Sequence, residues 1–309
     1  MTSETLTRAP GADSIKLIPR PEEPIPAVAL PTLAVFLVSL AVWVSSTALG
    51  VAGTWPAIVS ILINGVAAFA FFTVAHECSH SSASSNHSAN VWLGRLSMPF
   101  FAVIGSFGFL RYIHMQHHRF TNKDDGSDPD HYTQGGNRFT RIFLWASLDV
   151  NYLRFYFGHA SKRPRSEKIE FLVNTAIVWG LIAFLCIQGY ALEVLLFYVI
   201  PARIALTILA WSFDWLPHHE LPDTVETNKF RATRNIIGGE WLLTPLLLYQ
   251  NYHLVHHLHP RIPFYRYIKV WRRQEEHYVA NDPAMATPLG RPVTADEYRE
   301  LRHLEEHHG

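Results

Sequence analysis

Histidine is the residue type whose placement in this chain could do chemistry. His76-Glu77-Cys78-Ser79-His80 sets two imidazoles at i and i+4, on one face of a helix, which is chelating geometry. His114-Met115-Gln116-His117-His118 and His253-Leu254-Val255-His256-His257 each offer imidazoles at i, i+3 and i+4. The pair His218-His219 is a source of a further ligand. One HxxxH is an ordinary pattern on a helix surface. Three clusters are different, because crowded imidazoles without a cation carry desolvation and mutual-repulsion costs. Eight or nine imidazoles also exceed a tetrahedral zinc site of four ligands, or three plus water, so two metal ions are implied. Ligand type does not choose the metal, since imidazole suits zinc, iron, copper and nickel alike.

The elements that must position these clusters are apolar. Four runs, Ala27 to Val51, Pro56 to Ala75, Phe171 to Gly189 and Val194 to Phe213, are long enough to cross about 30 Å of hydrocarbon. Short turns near Gly53 and Gln188 join them into two hairpins and carry no Lys or Arg, whereas the segment from Arg111 to Lys168 is rich in both. The positive-inside rule then puts both chain ends and that segment on the cytoplasmic side of an integral, multi-pass membrane protein. The first cluster ends the second span, His218 follows the fourth, and the other two lie in cytoplasmic segments, so all are expected at one face. The predicted fold is all-α: four transmembrane helices with a cytoplasmic helical cap that holds a histidine-rich di-metal site.

Shorter apolar stretches, Met98 to Leu110 and Ile236 to Tyr249, suit re-entrant or interfacial segments, and Phe139 to Phe157 suits a helix in the interface or an ordinary cap helix. Arg203, inside the fourth span, should face the bundle interior or water, most simply as a structural pair. Residues 1–26, polar and proline-rich, read as a disordered cytoplasmic arm, 27–280 as the membrane domain and 281–309 as a charged tail. The apolar run after the arm is too long for a signal-peptide core and reads as a retained span. Equal numbers of basic and acidic residues give no sign of nucleic acid binding. Cys78 and Cys186 stand far apart, which excludes a zinc ribbon or an Fe–S cluster.

The order and placement of the boxes HxxxH, HxxHH and HxxHH resemble the membrane fatty acid desaturase and hydroxylase superfamily, over roughly Val74 to Tyr267. The stretches Phe109 to His118, Asp128-Pro129-Asp130-His131, Phe213 to His218 and Gln250 to Pro260 resemble cyanobacterial-type β-carotene hydroxylases, and more distantly carotenoid ketolases. The resemblance implies two iron ions, O₂ as co-substrate and attack on a C–H bond of a lipophilic substrate. It implies metal ligation by His76, His80, His114, His117, His118, His218, His253, His256 and His257. His219 falls where the carotenoid enzymes have arginine and stays outside the ligand set. Asp214 stands where animal-type acyl desaturases have an asparagine that holds a metal-bound water, a departure that leaves its role open.

Carboxylates commonly orient ligating imidazoles, and Glu77, Asp128, Asp130 and Asp214 are candidates. For Asp128-Pro129-Asp130 a turn or helix cap is an equal account. His87, His131, His159, His259 and the tail histidines His303, His307 and His308 read as ordinary surface residues. The sequence has no GxGxxG motif and no cysteine cluster, so an external electron donor such as a ferredoxin is expected. The run Arg266, Lys269, Arg272, Arg273 would attract an acidic donor or contact lipid headgroups. The substrate is expected to be a carotenoid, with acyl-lipid desaturation as the nearest alternative. A zinc-dependent membrane hydrolase, which would need no O₂, and a metal transporter, whose ligands would sit near the midplane, are alternatives of other classes.

Overall fold

The structure, a computed structural model, describes residues 18–308, with side chains described as far as His303. Residues 1–17, most of the arm expected to be disordered, lie outside the described residues, as do the side chains of His307 and His308.

Among the described residues four helical segments are long and apolar enough to cross a membrane. α1 (Leu30–Val51) and α2 (Ala57–Ser79) form one hairpin. Next come α3 (His87–Ser97), α4 (Phe107–Phe120), α5 (Arg141–Ala146) and α6 (Leu148–His159). The second hairpin joins α7 (Arg165–Ile187) to a segment over Ala191–Trp215. That last span is composite: α8 (Ala191–Val194), a π turn at Leu195–Val199, α9 (Ile200–Leu209) and a second π turn at Ala210–Trp215. Two boundaries differ from expectation. α2 continues past Ala75 to include His76, and α7 starts before Phe171, because its charged first turns are held by the pairs Arg163–Glu167 and Arg95–Glu170.

α2 is the central strut: 61% of its span is buried, against 17%, 11% and 33% in the other three. A helix that is apolar all round is built to be surrounded by others. Gly65 lets α9 approach closely, since a Cβ there would meet Ile204 at 2.7 Å. One polar residue on this strut has a specific task. Pro201 has no N–H to give the carbonyl four residues back, that of Phe197, and the backbone relaxes into a π turn. The buried Asn64 Nδ2 donates to that Phe197 carbonyl at 3.0 Å and to Thr47 Oγ1 at 2.9 Å, so one side chain ties α1, α2 and the last span together. Arg203 forms a two-pronged ion pair with Asp149, at 2.9 and 2.6 Å, and donates to the Ala146 carbonyl. It is a structural pair that fastens the short helices to the fourth span.

The cap packs on the end of the bundle where α2 and the second π turn finish. The stretch Ile236 to Tyr249 becomes the end of β1 (Arg234–Ile236), a glycine turn and α10 (Glu240–Leu246), from which Trp241, Leu242 and Leu246 stand exposed. α11 (His253–Leu258) and α12 (Tyr267–Arg273) follow, then α13 (Glu275–Val279), β2 (Ala284–Ala286) and α14 (Ala295–His308). β2 pairs in parallel with β1, and Trp271 Nε1 donates to Tyr298 Oη at 2.8 Å. Residues 284–298 are therefore part of the cap core and not a separate tail, because a buried tryptophan needs this partner for its N–H.

Residues 18–26 also depart from the disorder expected of them. The Glu23 carboxylate, 5% exposed, lies 2.8 Å from Lys269 Nζ, 2.8 Å from Arg273 Nη2 and 3.2 Å from Arg266 Nη1. Arg273 and Gln274 donate to the carbonyls of Glu22 and Arg20. Three members of the basic run considered for an acidic donor are thus occupied by the chain's own strap.

Replacing Asn64 with leucine leaves the Phe197 carbonyl without its donor inside the bundle. The expected cost is about 1–2 kcal/mol, read as a lower unfolding temperature in detergent; an unchanged transition would remove Asn64 from the packing argument.

Candidate metal centre

Each box sits on an element with its own reason to form. His76 lies in the last turn of α2 and His80 caps it, with Ser79 Oγ donating to the His76 carbonyl. α4 starts at Ser106, whose Oγ accepts from Phe109 N at 3.2 Å, and runs on to carry His114, His117 and His118. α11 is short and buried, and Asn235 of β1 accepts from its Leu254 N–H at 3.0 Å. His218 stands in the turn after the second π turn, a backbone irregularity of the kind that recurs at functional sites.

Together these elements gather nine rings into two groups. His76, His80, His114, His118 and His256 form one, and His117, His218, His253 and His257 the other, with ligand atoms in each within 4.8 Å of one another. In the first, His80 and His114 Nε2 are 2.7 Å apart, His118 and His256 Nε2 2.9 Å, and His76 and His256 Nε2 3.2 Å. In the second, His253 and His257 Nε2 are 3.1 Å apart and His117 and His257 Nε2 3.3 Å. His118 and His257 stack at 4.2 Å between centroids and join the groups.

The outer nitrogens decide what faces inward. His117 Nδ1–H donates to Asp128 Oδ1 at 3.0 Å, His253 Nδ1–H to Gln250 Oε1 at 2.8 Å and His218 Nδ1–H to the Ala232 carbonyl at 3.2 Å. His256 Nδ1–H donates to Tyr267 Oη at 2.9 Å, and that hydroxyl turns toward Glu77 Oε1 at 3.4 Å. A neutral imidazole with its proton on Nδ1 keeps a lone pair on Nε2. These rings therefore aim lone pairs at common points, and the buried His218 Nε2 has no partner at all. Protons do not fill the gap. Burial, and next the repulsion of neighbouring rings, push His80, His114, His118, His253, His256 and His257 well below the usual imidazole range. His117 is the exception. Burial lowers it, but the carboxylates of Asp128 and Asp130 hold it up at about 9, so this ring draws positive charge. The donor set suits two cations bound by imidazole.

The four candidate carboxylates separate. Asp128 accepts from His117 and also from the N–H groups of Asn122 and Asp130, so it is both a turn cap and the orienter of a box imidazole. Asp130 lies 3.4 Å from His117 Nδ1 and accepts from Tyr152 Oη at 2.7 Å. Glu77 is 4.0 Å from His76 Nδ1, beyond hydrogen bonding; it accepts from Phe264 N, Ser82 Oγ and Tyr267 Oη, and reaches a box histidine only through the tyrosine. Asp214 touches Tyr152 Oη at 3.3 Å and no imidazole. A small cavity of about 20 Å³ is lined both by the apolar Phe72, Leu110, Ile113 and Phe213 and by the polar His114, His117, His253, Asp130, Asp214 and Tyr152.

Tyr267, Gln250 and Tyr152 are the site residues that sequence reasoning missed. Gln250 precedes His253 by one helical turn and was findable by spacing; the tyrosines carry no local signal. His219 stacks on Trp215 outside both groups. His131, His159 and His259 are also outside them, though His259 is buried, not a surface residue, and bonded to Tyr278 Oη at 2.8 Å. His87 and His303 are exposed.

The sequence model of the fatty acid desaturase family matches residues 53–288, and the chain belongs to that family. It is similar to the dihydrorhizobitoxine desaturase of Bradyrhizobium elkanii, 26% identical over 68% of this chain and 65% of that protein. It is similar to an sn-1 oleoyl-lipid 12-desaturase of Picosynechococcus, 24% identical over 65% of this chain and 51% of that protein. A beta-carotene ketolase of Paracoccus is 28% identical over 63% of this chain and 71% of the ketolase. The chain thus spans about half to two thirds of the length of the first two relatives.

Tyr267→Phe removes the acceptor of the His256 Nδ1 proton, and Asp128→Asn weakens that of His117. Each is expected to lower metal affinity by about 10–100-fold, measured by competition with a chelator. His117→Ala and His256→Ala should hold almost no metal, whereas the exposed His303→Ala should load like the parent chain.

Proposed function

We propose that the chain is an O₂-dependent membrane oxidoreductase with two iron ions, one in each imidazole group, that oxidises a C–H bond of a lipophilic substrate. The observation that carries this reading is the set of Nε2 lone pairs, fixed from outside by Asp128, Gln250, Tyr267 and the Ala232 carbonyl, that converge on two points. The first point would be held by His76, His80, His114, His118 and His256, the second by His117, His218, His253 and His257. Bound iron would supply the redox chemistry by which O₂ is reduced. A single zinc ion would leave half of these rings without a partner, which disfavours the hydrolase.

The chain's own residues do the rest. Asp128, Gln250 and Tyr267 fix the orientation of the His117, His253 and His256 rings. Phe72, Phe213, Leu110 and Ile113 keep bulk water from the inner cavity and offer an apolar lining for a hydrocarbon. Tyr152 holds a proton between two carboxylates, Asp130 and Asp214, in the lining of that cavity. Burial pushes the Asp130 carboxyl up to about 6, against the opposing pull of His117. Hydroxylation of R–H by O₂ uses two electrons and two protons and yields R–OH and water. Desaturation uses the same inputs and yields an alkene and two waters.

Hydroxylation of a carotenoid is the reading we favour, supported by the ketolase relative and the sequence stretches that resemble β-carotene hydroxylases. Acyl-lipid desaturation is the second reading, supported by the oleoyl-lipid relative. The electrons come from an external donor of the ferredoxin class; one desaturase relative, from Synechocystis, carries ferredoxin in its name. Both chain ends and the cap are assigned to the cytoplasmic side by the basic residues of the segment from Arg111 to Lys168.

Purified protein is expected to carry about two iron ions per chain, the number the two imidazole groups call for. Under ¹⁸O₂ with a reduced ferredoxin, label should enter an alcohol made from β-carotene; label found only in water, beside a new double bond in added acyl lipid, selects desaturation. Full turnover under argon, or one zinc per chain in active protein, would end the oxygenase reading.

A further inference from the structure

Away from the imidazoles, a groove of about 760 Å³ opens between α3, α4 and the start of α7. It occupies the flank of α4 beside the ligand face: Arg111 lies one turn before His114, and Met115 follows it into the groove. Three arginines line it, Arg95, Arg111 and Arg163, with two glutamates. Both glutamates are already engaged. Glu170 accepts from Arg95 at 2.6 Å and from Gly108 N at 3.2 Å. Glu167 accepts from both prongs of Arg163, at 2.8 and 2.6 Å, while the Arg163 guanidinium also lies 3.7 Å above the Tyr112 ring. Arg111 has no carboxylate within ion-pair distance among the described residues, and so the groove keeps a net positive charge that its own chain does not neutralise.

The lining changes character with depth. Arg111, Arg163 and Glu167 lie where α7 begins, whereas the internally paired Arg95 and Glu170 lie beside Ile169, one turn further along the helix. Ile169 and Val173, which are also exposed, lie about 6 and 12 Å further along the helix axis, within the membrane-spanning segment. Val91 and Phe107 also line the groove. An unpaired cation at the membrane face, with exposed apolar side chains further along α7 and an internally neutralised Arg95–Glu170 pair between them, matches an amphiphile with an anionic head and a hydrocarbon tail. A free anion would leave those apolar side chains without a partner, and a neutral lipid would leave Arg111 without one.

We propose that this groove binds an anionic phospholipid, with the headgroup phosphate on Arg111 and an acyl chain along Ile169 and Val173. The groove shares no lining residue with the imidazole groups, although Arg111 is near enough to act electrostatically on His80.

The test uses the full chain purified in detergent and exposed to equal amounts of dioleoylphosphatidylglycerol and dioleoylphosphatidylcholine, with retained lipid counted by mass spectrometry after washing. The parent chain should keep about fivefold more phosphatidylglycerol, as should Arg138→Gln, which changes a cation outside the groove. Arg111→Gln should bring the ratio to parity, and Arg111→Lys should restore most of it. Val173→Trp, which fills the apolar part of the groove without touching the arginine, should lower retention of both lipids and serves if Arg111→Gln fails to fold. Parity in the parent chain, or an enrichment that survives Arg111→Gln, would overturn the proposal. Displacement of phosphatidylglycerol by inorganic phosphate at millimolar concentration would overturn it too, in favour of a free-anion site.

Discussion

The structure depends on one electrostatic constraint: nine imidazoles, most of them buried, crowd together with few polar partners other than one another, and shared cations would satisfy them. His117, His253 and His256, whose Nδ1 protons are committed to acceptors outside the cluster, present Nε2 atoms at 2.9–3.3 Å to those of His76, His118 and His257, and burial keeps most of these rings uncharged. The outer acceptors are what make the constraint directional. Asp128, Gln250, Tyr267 and the Ala232 carbonyl decide which nitrogen of His117, His253, His256 and His218 looks inward, and Asp128 and Tyr267 make further contacts of their own.

Holding those rings in register is the work of the bundle. α2 delivers the first box from the most buried span, and its Asn64 repairs the carbonyl that Pro201 leaves open. Two π turns interrupt the last span, one beside Pro201 and one before His218, in a medium where an unpaired backbone group is costly. Arg203 uses the same logic: its guanidinium is tolerated in the span because Asp149 meets it with both oxygens. The cap closes over the cluster through Trp271, Tyr278 and Tyr298, and the strap around Glu23 pins α12, which carries Tyr267.

Much of the site was legible in the sequence because its histidines repeat at helical spacing, a signal confined to five-residue windows. The spans were legible for a similar reason, since apolar length is a local property. Glu77 shows where such reasoning stops. It sits inside the first box, yet its carboxylate serves Phe264 and Tyr267, nearly two hundred residues away in the chain, and only through them His256. Asp214 shows the same limit from the other side: it lies four residues before His218 but meets Tyr152 instead of a ring. The basic run on α12 looked free to receive a partner until Glu23, from a segment with every mark of a disordered arm, turned out to fill it.

Periodicity and hydrophobic length act within single elements, and they suffice to place the imidazoles at one end of a four-span helical bundle. The division of the nine rings into five and four, the meeting of His76 with His256 across 180 residues and the tyrosines behind the site emerge only once the chain is folded. Those outcomes depend on how separate helices pack, and a contact between elements leaves no periodic trace in either one.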